Sequence, residues 1–176
     1  MANSNAPYGF RLYTRLVPGT GGVAVTPGAA AGGTLSSSGP LPVASATVLH
    51  VGDPIHASNG LGYLAAATNA IYGVCNSPVP NFGETALQKH YPEIIPADDQ
   101  TLWRVQSIGT VNVTQGYIGG IAKKYRLSGS SGYTGIDLTH TTGGMLAIVG
   151  LAPGSVLGTY AELLVLVTRG AFYGQA

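Results

Sequence analysis

The alternation of apolar and polar residues along this chain predicts short β-strands. In the segment 10–17, apolar side chains occupy one parity (Phe10, Leu12 and Leu16) and polar or amphipathic ones the other (Arg11, Tyr13 and Arg15). Similar short runs follow from residue 43 onward, separated by turn signals at spacings of about 8–12 residues. The pattern predicts an all-β fold, either an antiparallel β-sandwich or a β-barrel.

The most apolar stretch of the chain runs from 144 to 170. Pro153, several glycines and Glu162 interrupt it, whereas a membrane-spanning helix needs about 20 consecutive apolar residues. It is better interpreted as two strands, 145–151 and 160–168, joined by a loop around 152–155. Since both faces of the second strand are apolar, we expect that strand to be covered on both sides, at the centre of the core.

A change of composition divides the chain into two parts. Residues 18–42 are almost entirely Gly, Ala, Ser, Thr and Pro, which provide too little apolar bulk to offset the entropy of ordering. We therefore predict an extended N-terminal arm at 1–42, strand-like at 10–17 and flexible at 18–42, and a β body at 43–176. The segment 84–91 is the one helix-compatible piece, and Pro92 ends it.

The chain carries few charges. Charged residues make up 9% of its 176 residues, against about 25% in a typical soluble domain, which suggests that much of its surface contacts other protein. The net charge of +1 gives no electrostatic reason to expect nucleic acid as a partner. No secretory signal pattern opens the sequence, so we expect it to be made in a cytoplasm.

Several residue clusters have the composition of chemical sites without the expected spacing. His50, Asp53 and His56 are possible zinc ligands, but Asp53 has the opposite strand parity and lies in a Gly-Asp-Pro turn that it is expected to cap. The Gly-Ser-Ser-Gly run at 129–132 does not fit the G-x-S-x-G nucleophile turn. Asp98 and Asp99 are adjacent in sequence, so they would point to opposite faces of a strand.

Cys75 is the single cysteine, which excludes an internal disulfide and a cysteine-based zinc site. It lies in an apolar run, where a buried, unreactive thiol is expected. The residues thus predict a protein without catalytic activity, metal or cofactor.

The order of several short motifs resembles a family of tailed-bacteriophage virion proteins. The start, Asn-Ala-Pro-Tyr-Gly-Phe-Arg at 5–11, is similar to the beginning of that family. The Asp-Asp stretch that leads to Trp103 and Gln106, and the Tyr-Arg-Leu at 125–127, are similar to its middle segments. Two further matches, at 135–138 and 146–151, are similar to its closing strands.

The resemblance implies a capsid decoration (cement) protein located on the virion surface. The expected partners are a major capsid protein of the HK97-type fold and other copies of the same chain, with a trimer favoured. Neither nucleic acid nor membrane is expected to bind. The family-like start suggests a capsid or subunit interface that contains Asn5, Pro7, Tyr8, Phe10, Arg11 and Arg15. Other interpretations are a tail or baseplate adaptor, and a small β-sandwich hydrolase or carbohydrate-binding module.

Overall fold

The computed structural model describes residue 3 and residues 8–15, 41–44, 47–77, 92–98, 100–119 and 124–168. The helix-compatible segment 84–91 and nearly all of the predicted flexible segment 18–42 lie outside these residues. The described residues form ten strands and one short 3-10 turn, Gln115–Tyr117, with no α-helix among them. Accordingly, no helix in this part of the chain is long and apolar enough to cross a membrane.

The strands, numbered in chain order, are short. Their bounds are β1 (Arg11–Arg15), β2 (Pro54–Ser58), β3 (Leu61–Leu64), β4 (Gly73–Cys75), β5 (Ile94–Pro96), β6 (Thr101–Ile108), β7 (Arg126–Ser128), β8 (Gly135–Asp137), β9 (Leu146–Leu151) and β10 (Glu162–Val167). The all-β prediction is therefore confirmed.

The larger sheet is built around β6, which is its longest strand. Its order is β7-β8-β6-β10-β9, and β1 pairs with β6 as a sixth strand. All pairs are antiparallel except β6 with β8, which run parallel and place Ser107 opposite Ile136. The sheet is therefore mixed, with one parallel pair, whereas the sequence pattern predicts only antiparallel pairs.

The smaller sheet is antiparallel, with the order β3-β2-β4-β5. Asn59 and Gly60 close its β2–β3 hairpin with positive φ angles of 52° and 74°. These are the backbone angles that make Asn-Gly a hairpin signal, because glycine and asparagine tolerate the left-handed region.

The main core contains side chains from both sheets. Trp103 and Val165 from the larger sheet and Val74 from the smaller one are buried in the same apolar cluster. A second cluster, which includes Ile55 and Cys75, contains partly buried Leu41 and Val43 from the segment before β2. The two sheets therefore share a core, an arrangement compatible with the sandwich, the first of the two predicted alternatives.

Strand β10 contributes only one of its faces to the core. Leu163, Val165 and Val167 are fully buried, whereas the alternate residues Glu162, Leu164 and Leu166 are only partly buried. The expectation that both faces are covered therefore holds in full for the inner face and only in part for the outer one. The physical reason is that the outer face begins with a charged pair, since Arg104 Nε donates to Glu162 Oε2 at 2.7 Å.

The first strand belongs to the body of the molecule. β1 pairs antiparallel with β6, from Arg11 opposite Arg104 to Arg15 opposite Thr101. Phe10 is buried and meets Trp103 edge-on, with ring centroids 6.3 Å apart. The boundary between arm and body at residue 42 therefore separates β1 from the sheet to which it belongs.

Candidate functional site

Three segments that are distant in sequence meet at one edge of the molecule. They are residues 8–11, which lead into β1, residues 50–53, which precede β2, and the turn at 130–134 between β7 and β8. Each segment adjoins a different strand of the sheets, so the fold sets the geometry of their junction. We call this the three-segment junction.

The buried carboxylate of Asp53 connects two of these segments. Its side chain is 0% exposed. It accepts hydrogen bonds from the backbone N–H groups of His50 at 2.8 Å and Gly132 at 2.9 Å. The hydroxyls of Ser131 and Thr134 also donate to it, at 2.5 Å and 3.2 Å. A buried charge with this many donors is fully satisfied, so Asp53 has a structural role that fixes both turns.

Two glycines allow the third segment to approach. The N–H of Phe10 donates to the carbonyl of Gly52 at 2.7 Å. Gly9 and Gly52 both have positive φ, and a Cβ on Gly9 would lie 2.5 Å from the Gly52 oxygen. Any larger residue at position 9 would therefore separate the family-like start from the body.

A cleft of about 490 Å³ opens at the three-segment junction. The side chains that define it come from all three segments: Tyr8, Arg11, His50, Val51, Ser131 and Tyr133. Tyr133 and Val51 are unusually exposed for their types, at 64% and 53%. The guanidinium carbon of Arg11 lies 3.6 Å from the centroid of the Tyr8 ring, a cation–π contact that fixes its position.

The cleft contains a serine, a histidine and an aspartate, but their order differs from that of a hydrolase. The single proton of the Ser131 hydroxyl is directed to Asp53, so His50 Nδ1, 2.8 Å from Ser131 Oγ, acts as a donor to it. In a catalytic triad the histidine lies between serine and aspartate and accepts the proton of the serine. Here serine lies between the other two, an arrangement suited to holding a cleft in shape.

The proposed zinc ligands are not brought together. His56 Nδ1 donates to the carbonyl of Ala70 at 3.1 Å, away from the pair formed by His50 and Asp53. Within the described residues, no group of three His, Cys, Asp or Glu side chains could hold a metal ion. Asp98 instead accepts hydrogen bonds from its neighbours Gln100 and Thr101, and Asp99 lies outside the described residues.

Two other titratable groups have local structural roles. Burial raises the pKa of the Cys75 thiol to about 11, and the thiol lies 2.8 Å from the carbonyl of Ser77. Burial also acts to raise the pKa of Asp137. Hydrogen bonds from Thr139 and His140 outweigh that effect, so the pKa is lowered overall. Cys75 is therefore a protonated core thiol at neutral pH, and Asp137 is ionised in its turn.

A second surface feature is the loop that joins β9 to β10, which we call the 152–159 loop. Asn3 fixes this loop, since its Nδ2 donates to the carbonyls of Val156 at 2.9 Å and Thr159 at 3.0 Å. Gly158 and Val113 exchange two backbone hydrogen bonds of 3.0 Å each. The loop is thus attached to the body on two sides.

The fixed 152–159 loop exposes apolar side chains. Val156 is 42% exposed and the adjacent Leu157 is 44% exposed. Binding of a partner that removes such side chains from water is favourable. A loop that is already ordered loses little entropy on binding. Val156 and Leu157 are therefore the candidates in this loop for contact with another protein.

The interface residues suggested by the sequence have different locations. Tyr8 and Arg11 line the cleft, Phe10 is in the core, and Arg15 pairs with Thr101 in β1. Asn5 and Pro7 lie outside the described residues.

The functional candidates that sequence reasoning missed are Asn3, the turn residues Ser131 and Tyr133, and the pair Val156 and Leu157. An exposed Val-Leu pair between glycines was the one available signal.

Comparisons of the chain with protein-family models, with curated proteins and with solved structures found no match.

Proposed function

We propose that this protein is a structural component of a tailed-phage head, a decoration protein that binds the outside of the capsid shell. It acts without catalysis. Its partners are a major capsid protein of the HK97-type fold and further copies of itself, most simply in a trimer. The bound copies stabilise the shell against the internal pressure of packaged DNA, and many modest interfaces per particle add up through multivalency.

The observation that carries this proposal is the rigid, apolar 152–159 loop. Val156 and Leu157 are exposed on a backbone that Asn3 and Val113 fix from two sides. Burial of these adjacent aliphatic side chains by another protein is favourable, and an ordered loop loses little entropy when it binds. We therefore assign shell binding to this loop rather than to the segment 5–15.

Two features of the sequence support the same function. The motif order that resembles virion proteins extends over both ends of the chain, and its first segment docks against the body through Gly9 and Phe10. Only 9% of the residues are charged, as expected for a molecule that is largely surrounded by other protein.

A direct test measures binding of the purified protein to capsids that lack it. We expect saturable binding, with hundreds of copies per particle, as decoration of a whole shell requires. The double variant Val156→Ser, Leu157→Ser should bind about tenfold more weakly or worse, because interface anchors typically contribute more than ~1 kcal/mol each.

The matched control is Val149→Ser on β9, a valine with similar exposure of 43% outside the loop. Its affinity should equal that of the unmodified protein. A purified protein without affinity for the shell would overturn the proposal. Saturation at a dozen copies or fewer would instead indicate a tail adaptor.

A further inference from the structure

Arg11 gives the cleft at the three-segment junction a positive charge for which no carboxylate among the described residues competes. Arg11 is exposed, and no carboxylate pairs with it among the described residues. The Asp53 carboxylate is buried, and its hydrogen-bond donors are those described above. The Glu162 carboxylate accepts hydrogen bonds from the Tyr8 hydroxyl at 2.8 Å and from Arg104. The guanidinium of Arg11 is therefore available to an anion from outside, and carboxylates are the anions that its planar group binds with paired hydrogen bonds.

The same cleft presents an aromatic surface. Tyr133 is 64% exposed although it lies in a turn that Asp53 fixes through Gly132 and Thr134. A tyrosine ring on a rigid turn offers a flat apolar face beside a hydroxyl, and it loses few degrees of freedom when a ligand ring stacks on it.

Polar groups suited to hydroxyl ligands complete the cleft. Because Nδ1 of His50 donates to Ser131, Nε2 of the neutral ring is an acceptor. His50 is 55% exposed, so this acceptor side is accessible. A ligand hydroxyl could donate to it while the ligand ring lies on Tyr133.

We infer that this cleft binds an acidic saccharide, that is, sugar rings of which at least one carries a carboxylate. Arg11 binds the carboxylate, Tyr133 stacks on a ring, and His50 accepts from a hydroxyl. The volume of about 490 Å³ lies in the range of small-molecule sites and exceeds what one sugar ring fills. This site is separate from the 152–159 loop, and the inference does not depend on binding to capsids.

The experiment titrates the full-length protein with trigalacturonate and follows backbone amide shifts by NMR. Saturable shifts at Tyr8, Arg11, Gly132 and Tyr133 are expected. The methyl ester of the same trisaccharide keeps the rings but removes the charges, and succinate keeps carboxylates without rings. Each should bind about tenfold more weakly than trigalacturonate, the loss expected for one charge-assisted or stacking contact.

Three variants connect the binding to the named residues. Arg11→Gln and Tyr133→Ala should each weaken trigalacturonate binding about tenfold, whereas Tyr133→Phe keeps the ring and should change it by less than about twofold. Arg126→Gln removes the same charge from an arginine outside the cleft and should leave binding unchanged. Thermal melts of all variants verify that they are folded.

The inference would be overturned by a lack of trigalacturonate binding, or by equal binding of its methyl ester or of succinate. Equal losses of affinity in Arg11→Gln and Arg126→Gln would also overturn it. Shifts confined to the 152–159 loop would do the same.

Discussion

At the scale of single residues, Asp53 joins parts of the chain that no local interaction would bring together. Its carboxylate accepts hydrogen bonds from the turn at 50–53 and from Ser131, Gly132 and Thr134. An unpaired buried donor costs free energy comparable to a lost hydrogen bond, and bonds to a charged acceptor are stronger than neutral ones. The contact between the segments 50–53 and 130–134 therefore depends on this one acceptor.

We predict that Asp53→Asn lowers the free energy of unfolding by about 3 kcal/mol or more, because the amide nitrogen cannot accept from the donors it would face. Denaturant unfolding at neutral pH measures the effect. Asp137→Asn is the matched control. Its partners Thr139 and His140 lie within three residues and its side chain is partly exposed, so about 1 kcal/mol or less is expected. Equal losses in the two variants would contradict the assigned role of Asp53.

The sequence predicts part of this site. The Gly-Asp-Pro turn indicates a structural aspartate at 53, and the apolar run around Cys75 indicates a buried thiol; both are found. The partners of Asp53 at 131–134 could not be predicted, since they lie about 80 positions away in the sequence. The contact of Asn3 with the 152–159 loop was equally hidden, because it joins residues more than 150 positions apart.

At the scale of elements, β10 shows what hydrophobic periodicity can and cannot predict. Its position in the core follows from its uninterrupted apolar run, and there Leu163 lies opposite Val105 of β6 and Val165 opposite Trp103. The sequence does not show which face of β10 meets the other sheet, because residues of both parities are apolar. Only the three-dimensional packing distinguishes Leu163, which is fully buried, from Leu164, which is partly buried.

This difference predicts unequal effects of the same substitution at adjacent positions. Leu163→Ala removes a side chain from the centre of the core and should cost about 3–5 kcal/mol of unfolding free energy. Leu164→Ala, on the outer face, should cost about 1 kcal/mol, since part of the side chain is in water in the native state. Chemical denaturation of both variants gives the comparison. Similar losses would mean that the outer face of β10 is buried as well.

At the scale of the whole molecule, a compact two-sheet body presents two distinct surface features. One is the fixed 152–159 loop with exposed Val156 and Leu157, and the other is the cleft that contains Arg11 and Tyr133. The body itself was predictable from the spacing of strands and turns. The two surfaces were not, because each is assembled from segments that become neighbours only after the sheets have formed.

If the protein strengthens a capsid shell, as proposed, its loss should change the release of DNA from phage particles as a function of temperature. Particles with and without the protein are compared at low ionic strength, where the self-repulsion of packaged DNA is least screened. Particles that lack the protein should release DNA at a lower temperature. Purified protein should restore the original curve, with saturation at a fixed number of copies per capsomer, whereas the Val156→Ser, Leu157→Ser variant should not. Coincident release curves for the two kinds of particle would contradict the proposal.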